Sequence, residues 1–302
     1  MVLLNLITYP MNRRKREIII ISILSVFIAI CGFYLLFLHR NKETNKIEFN
    51  EISPIEKAEV IIDESKKLDP KYITLNNMDY SKLDETNWVI KYEDDEYSSI
   101  CGIDVSEYNG VVNFYTLKSE GIDFVILRVG WRGYTEGGIY KDKYLEDYYS
   151  EAKKAGLKIG FYFFSQAINE KEAIEEANFV LDNIKDKECD LFVAHDMESV
   201  GGAGSRIFSL TLNERTRFAR AFIDTIKEAG YEPMLYTNHD WATHYYNMDE
   251  FTDVPIWYAQ YDDYPNLHFD YVMWQYTAKA SIKGSSLVNQ TDLNIMLKKK
   301  HE

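Results

Sequence analysis

The sequence predicts an α/β fold, specifically an eight-stranded (β/α) barrel in which some helices are missing after the fifth strand. From Cys101 onward, short apolar segments alternate with amphipathic ones, as in a parallel sheet covered by helices. After the fifth predicted strand, the connections become short and aromatic and leave little room for helices. Polar residues fall at the C-terminal ends of the predicted strands, the end at which barrels carry their functional sites. An open, doubly wound sheet is the alternative that the alternation alone allows.

The composition narrows the classes of function. A barrel of about 200–250 residues fits within the 302-residue chain together with an N-terminal extension. The net charge of −14 argues against a nucleic-acid partner, which requires a basic surface. Aromatic residues make up 15% of the chain, which suits both core packing and stacking on sugar rings. The three cysteines do not have the spacing of a zinc site. A disulfide between Cys101 and Cys189 is disfavoured, because the two lie near predicted strands that should not be adjacent. We predict neither a metal nor another cofactor.

The N-terminal region predicts a membrane anchor. Residues 18–38 contain no charged side chain and are long enough to cross a bilayer. The basic run 13–16 precedes them, which predicts a cytoplasmic tail over 1–17 and an extracytoplasmic remainder. The charged, glycine-poor segment 39–99 then forms a stalk, with a short strand at 88–92 docked on a catalytic barrel over 100–302. A cleaved signal peptide is the alternative, weakened by the length of the span and the lack of a small-x-small site. Either Met1 or Met11 fits as the start of such an anchor.

The predicted helices have recognisable ends. Gly156 follows a helix over 141–155, and Asn169 begins a helix that extends to Ile184. Thr211 and Glu214 form a capping box for a helix that ends at Gly230. The eight predicted strands are 102–106, 124–129, 157–165, 191–198, 233–237, 255–261, 271–276 and 290–296.

The fourth of these strands ends in two carboxylates separated by one residue. Side chains alternate along a strand, so Asp196 and Glu198 share a face and His195 points away, more suited to packing than to catalysis. Two neighbouring carboxyl groups raise each other's pKa, which suits one as a proton donor beside another that stays charged. Enzymes that cleave glycosidic bonds use such a pair, in which one carboxyl group protonates the leaving oxygen. Acids at strand ends also serve as helix caps or solvent contacts, so the pair needs support from its surroundings.

Other polar residues fall at the ends of the remaining strands. In a closed barrel the first and last strands are neighbours, which places Asp104 beside Asp292. A Mg²⁺ or Ca²⁺ site is the alternative for such acids, although no phosphate-binding loop accompanies them. The complete set is Asp104, Tyr162, Asp196, Glu198, Tyr236, Gln260, Gln275 and Asp292.

Six segments, in order from about residue 102 to 297, resemble the motifs of glycoside hydrolase family 25, the Chalaropsis-type lysozymes. They are Gly102–Gly110, Gly160–Phe163, Asp196–Glu198, Trp257–Tyr261, Trp274–Tyr276 and Asp292–Asn294. The resemblance implies a barrel that lacks some late helices and that cuts the β-1,4 bond after N-acetylmuramic acid in peptidoglycan.

The resemblance also implies roles for individual residues. Glu198 matches the general acid, and Asp196 matches the partner carboxylate, which either orients the substrate's acetamido group or attacks the sugar directly. Asp104 and Asp292 match flanking acids that maintain the charge state of this pair. Residues expected to line the sugar site, with barrel packing as the alternative for the aromatic ones, are Tyr162, Tyr236, Gln260, Trp274 and Gln275.

The sequence therefore predicts a membrane-anchored, outward-facing muramidase whose partner is the peptidoglycan glycan strand. Two alternatives stay open. One is a catalytically silent peptidoglycan-binding module, and the other is a glycosidase for another N-acetylated glycan such as chitin.

Overall fold

The computed structural model describes residues 67–300, except 77, 86–88, 263, 283–285 and 288–289. The predicted cytoplasmic tail, the predicted membrane span 18–38 and residues 39–66 of the predicted stalk lie outside the described residues. Within the described part of the chain, no helix combines the length and the apolar character needed to cross a membrane.

Eleven strands and five α-helices make up this region. The strands are β1 Leu83–Asp84, β2 Lys91–Tyr92, β3 Tyr97–Val105, β4 Phe124–Arg132, β5 Ile139–Lys141, β6 Lys158–Ser165, β7 Val193–Met197, β8 Pro233–Asn238, β9 Ile256–Ala259, β10 Met273–Ala280 and β11 Thr291–Lys299. The helices are α1 Phe114–Ser119, α2 Leu145–Lys154, α3 Glu170–Ile184, α4 Leu212–Glu228 and α5 His239–His244.

Eight of the strands close into a barrel, as predicted. Their order is β3, β4, β6, β7, β8, β9, β10 and β11, and β11 pairs back onto β3. Seven strands are parallel, whereas β11 runs antiparallel to both of its neighbours. The sequence-based expectation that every functional residue lies at a carboxyl end therefore fails for Asp292, which lies at the start of β11. Because β11 is reversed, its start reaches the same mouth of the barrel as the carboxyl ends of the other strands.

The interior of the barrel changes from apolar to polar toward this mouth. Phe192, just before β7, and Ala194 on β7 belong to the interior apolar cluster, and Asp196 is the next residue on the same face. At the other end, the aromatic ring of Phe124 fills the space beside Gly102, where a Cβ would lie 2.2 Å from a ring carbon. The fold therefore seals the lower barrel with side chains and leaves polar groups at the mouth.

The outer helices begin and end as the sequence predicts. Gly156, just after α2, adopts φ = 74°, and the Asn169 side chain accepts a hydrogen bond from the Glu172 backbone N–H at the start of α3. Thr211 and Glu214 form a reciprocal capping box on α4. Among the described residues after β8, the helical elements are the six-residue α5 and a short 3₁₀ turn at Met248–Phe251, in agreement with the predicted shortening.

The described residues between 68 and 99, which the sequence places in the stalk, pack on the barrel. Leu75 is fully buried, and its backbone N–H donates to the Tyr271 carbonyl at 2.8 Å. The Asn76 amide donates to the Phe269 carbonyl at 2.7 Å. Charged residues between these apolar positions give the segment a polar composition, which conceals its buried face. Cys101 and Cys189 are unpaired, in keeping with the disfavoured disulfide.

Candidate active site

A cavity of about 230 Å³ lies at the mouth of the barrel. Seven of the nine residues predicted for the site contribute to its lining, including all four acids. The other lining residues are ones that the sequence-based prediction did not include in the site. The complete lining is Asp104, Ser106, Tyr108, Arg128, Tyr162, Phe164, Asp196, Glu198, Tyr236, Trp257, Tyr261, Gln275 and Asp292.

Asp104 and Asp292 lie directly opposite each other on β3 and β11, as predicted from barrel closure. Asp104 Oδ2 accepts hydrogen bonds from Gln275 Nε2 at 2.9 Å and Asn294 Nδ2 at 2.8 Å. Burial nevertheless raises the pKa of Asp104 to about 6. Burial, together with repulsion from Asp104 and Glu198, raises the pKa of Asp292 to about 8. The two carboxyl groups therefore titrate as a pair, which keeps a proton to higher pH than isolated carboxyl groups do.

Asp196 and Glu198 form the second acidic pair. Asp196 is buried on β7, whereas Glu198 follows the strand and is partly exposed. Burial, then repulsion from Glu198 and Asp104, holds the pKa of Asp196 well above its usual range. Burial and repulsion from Asp104 also raise the pKa of Glu198. Asp196 Oδ1 is buried without a hydrogen-bond partner among the described residues. The two acids thus titrate together and retain a proton at a pH where isolated carboxyl groups have lost it.

The amide of Gln275 connects the acids to the aromatic wall. Its Oε1 accepts hydrogen bonds from the Tyr236 hydroxyl at 3.0 Å and the Tyr261 hydroxyl at 2.8 Å, while its Nε2 donates to Asp104. Asn294 forms the corresponding bridge from Asp104 to the indole N–H of Trp257, at 2.8 Å. Because each amide uses both its oxygen and its nitrogen, these contacts fix the orientation of Asp104 and of the rings around it.

Arg128 is the one cation among the described residues that line the cavity, and the sequence-based prediction missed it. Its guanidinium lies 2.9 Å from the buried carboxylate of Asp142 and 3.8 Å from Glu107. The indole ring of Trp131 packs against it, with 4.6 Å between the guanidinium carbon and the ring centroid. The attraction of Arg128 partly offsets the rise in the pKa of Asp196. The position of Arg128 in the sequence could have indicated this role, because it is a charged residue within the apolar run 124–129. Buried strands rarely contain an arginine unless it is paired.

Gln260 and Trp274 do not line the cavity. The Gln260 amide binds the Tyr258 hydroxyl and the Asp262 carboxylate, each at 2.8 Å, outside the barrel. Trp274 is fully buried in the outer core, and its indole N–H donates to the Gln260 carbonyl. The alternation of side chains explains both placements. Trp257 and Gln275, on the same strands, occupy the interior face instead.

His195 faces away from the acids, as expected. It is fully buried, its ring centroid lies 5.1 Å from that of Phe222, and burial lowers its pKa to about 3. Within the described ranges, no cluster of three or more His, Cys, Asp or Glu side chains is arranged to hold a metal ion.

Comparison with known proteins identifies the family. The model of glycosyl hydrolases family 25 matches residues 103–285. The autolytic lysozyme of Clostridium acetobutylicum is 32% identical over 189 residues, which cover 61% of this chain and 52% of that protein. This chain therefore spans about half the length of that curated relative.

Solved structures share the fold. The spore cortex lytic enzyme SleM of Clostridium perfringens is 25% identical, with a TM-score of 0.57 over 66% of this chain and 67% of that one. The modular autolysin LytC of Streptococcus pneumoniae, solved with a synthetic peptidoglycan ligand, is 23% identical, with a TM-score of 0.57 over 65% of this chain and 46% of that one. The match to the family model covers more than half of the sequence, and the chain therefore belongs to glycosyl hydrolases family 25.

Proposed function

We propose that this protein is a muramidase that hydrolyses the β-1,4 bond between N-acetylmuramic acid and N-acetylglucosamine in peptidoglycan. The observation that carries the proposal is the convergence of four carboxyl groups with raised pKa values on one cavity. Membership of family 25 and similarity to an autolytic lysozyme support peptidoglycan as the substrate.

In the proposed mechanism, Glu198 protonates the oxygen of the leaving sugar. Its partial exposure at the cavity supports this role, because the donor must reach the glycosidic oxygen. Its raised pKa supports the role as well, since the acid must keep its proton near neutral pH. Asp196 lies deeper and has an unpartnered oxygen, which suits it to orient the acetamido group of a bound N-acetyl sugar. Asp104 raises the pKa of both members of this pair by repulsion across the cavity, and Asp292 lies opposite Asp104 at the same mouth.

The decisive experiment is mass spectrometry of the muropeptides that the full chain releases from purified peptidoglycan. We expect products with a reducing N-acetylmuramic acid end. We expect Glu198→Gln to lower kcat by about 10²–10⁴ with the fold intact, whereas the exposed Glu228→Gln serves as a matched control with normal activity. Binding of glycan without new reducing ends would establish the silent binding module instead, and a preference for chitin would establish the other glycosidase.

We also propose that residues 18–38 anchor the protein in the membrane, with the N-terminus in the cytoplasm and the barrel outside. The uncharged run and the preceding basic cluster support this orientation. The test is fractionation of cells that express the full chain, followed by protease treatment of intact protoplasts. Recovery in the soluble fraction, or protection of the barrel from protease, would contradict the proposal.

A further inference from the structure

The position of Glu198 in the chain raises the question of what holds it. The pairing of β6 with β7 ends at the Ser165–Met197 pair, one residue before Glu198. The exposed residues Ser199 and Val200 follow, and then the glycine-rich segment 201–204. The proposed proton donor therefore lies where the sheet has stopped and a loop has begun, so that strand pairing alone does not fix it.

A buried carboxamide continues the connection between the two strands. Gln166, the residue immediately after β6, is fully buried, and its Nε2 donates to the Glu198 backbone carbonyl at 2.9 Å. Its Oε1 accepts a hydrogen bond from the hydroxyl of Ser205, also buried, at 3.1 Å. Both ends of the amide are thus used. They join the donor's backbone to the far side of the glycine-rich segment.

A buried ionic cluster fixes Gln166 in turn. The carboxylate of Glu176 on α3, which is fully buried, accepts a hydrogen bond from the Ser165 hydroxyl at 2.6 Å. The other oxygen of Glu176 accepts the backbone N–H of Gln166 at 3.4 Å and Nε of Arg132 at 2.7 Å. Gln166 is therefore held through its backbone by a helix that packs on the outside of the barrel, and its side chain has a fixed direction.

From this geometry we infer that Gln166 and Ser205 are positioning residues that hold the Glu198 carboxyl at the scissile bond. In this inference, neither the Gln166 carboxamide nor the Glu198 backbone carbonyl takes part in the reaction, and Gln166 is absent from the cavity lining. The effect is exerted through the backbone of Glu198. A displacement of the donor by about 1 Å is enough to lower a rate by about 10²-fold. The inference rests on the proposed role of Glu198 as the acid.

The test compares the full-length protein with three variants. Gln166→Leu removes both hydrogen bonds at similar volume, and Ser205→Ala removes only the outer one. Asn76→Leu is the matched control, because Asn76 is also a carboxamide that bonds a backbone carbonyl, at 2.7 Å, but near the start of β10, away from the acids. We expect Gln166→Leu to lower kcat by about 10- to 100-fold with KM within about threefold. We expect a smaller loss for Ser205→Ala and none for Asn76→Leu.

The pH profile separates positioning from a general loss of stability. Titratable and charged groups from several strands face Glu198; of these, Asp104 raises its pKa by repulsion and the hydrogen bond with Asp196 lowers it. The facing groups are the carboxyl groups of Asp104, Asp196 and Asp292, the guanidinium of Arg128, and the hydroxyls of Tyr236, Tyr246 and Tyr261. When Gln166→Leu removes these hydrogen bonds, we expect the Glu198 carboxyl to move toward water. Its pKa then falls, and the alkaline limb of the kcat profile moves to lower pH.

Each outcome decides one question. Gln166→Leu with normal kcat and an unchanged pH profile would overturn the inference, as would an equal loss in Asn76→Leu. If Gln166→Leu does not fold, an unchanged pH profile and kcat in Ser205→Ala would overturn it. An inactive wild-type protein would refute the proposed function instead. In that case, hydrogen exchange tests whether Gln166 holds the backbone of Glu198. Gln166→Leu should accelerate exchange of the backbone amides over 198–205, and Asn76→Leu should not.

Discussion

Replacement of Asp292 by asparagine should stabilise the protein in a pH-dependent way. The pKa of Asp292 is raised to about 8 in the fold, against an ordinary value near 3.8. Below both values the carboxyl is protonated in the folded and unfolded states and contributes nothing. Between them the unfolded chain binds fewer protons, so stability falls as pH rises, until the folded carboxyl also ionises. Asparagine imitates the protonated acid and removes this loss.

The magnitude follows from the same values. A tenfold change in a protonation equilibrium is worth about 1.4 kcal/mol, which sets a ceiling of about 5–6 kcal/mol for this carboxyl. Since Asp292 titrates together with Asp104, part of the penalty passes to Asp104, and we expect a gain of about 1–3 kcal/mol at pH 8.

Thermal unfolding followed by circular dichroism at pH 4, 6 and 8 measures the effect. Each kcal/mol should raise Tm by about 2–4 °C for a domain of this size. The gain should be absent at pH 4 and largest at pH 8, and hydrolytic activity should fall, since stability and function compete at such sites. The exposed Asp95→Asn is the control and should leave Tm unchanged. A Tm gain that is equal at all three pH values, or a loss at pH 8, would refute the reasoning.

Three further substitutions test the parts of the fold that support the site. Arg128→Met should destabilise the protein by about 3–5 kcal/mol, because it leaves the buried Asp142 carboxylate without its cation; chemical denaturation would measure this, and a loss below 1 kcal/mol would contradict it. Gly102→Ala should cost about 1–3 kcal/mol by denaturation, because the added methyl overlaps the Phe124 ring, and Phe124→Leu in the same chain should restore part of the loss; no restoration would contradict the packing argument. Thr211→Ala should lower the free energy of unfolding by about 1 kcal/mol through loss of the helix cap, without a change in KM; a change in KM would show that the cap also affects the site.

Local patterns in the sequence were sufficient to predict the strands, the main helices and their caps. The pair Asp196 and Glu198 could be assigned to one face from alternation alone, because side-chain direction along a strand is a local property. Closure of the barrel, once assumed, also predicted the contact between Asp104 and Asp292. The same rule shows that the adjacent residues Trp274 and Gln275 cannot both face the cavity.

Long-range features were not predictable in this way. The reversal of β11 depends on the partners it finds in space, and it determines that Asp292 reaches the mouth from the start of its strand. The packing of the described residues between 68 and 99 on the barrel depends on isolated apolar side chains, such as Leu75, whose burial the charged composition of the segment does not reveal. The ion pair of Arg128 with Asp142 joins positions that no sequence spacing connects.

By itself, the sequence determined which residues alternate, where helices begin and end, and which carboxyl groups were available for acid–base chemistry. These properties depend on backbone geometry and on neighbours a few residues away. Only the tertiary structure decided which of these groups share a cavity, how their pKa values change, and that Gln166 holds the backbone of Glu198. The physical reason is that burial and electrostatic repulsion depend on distances between residues far apart in the chain, which are defined only when the barrel closes.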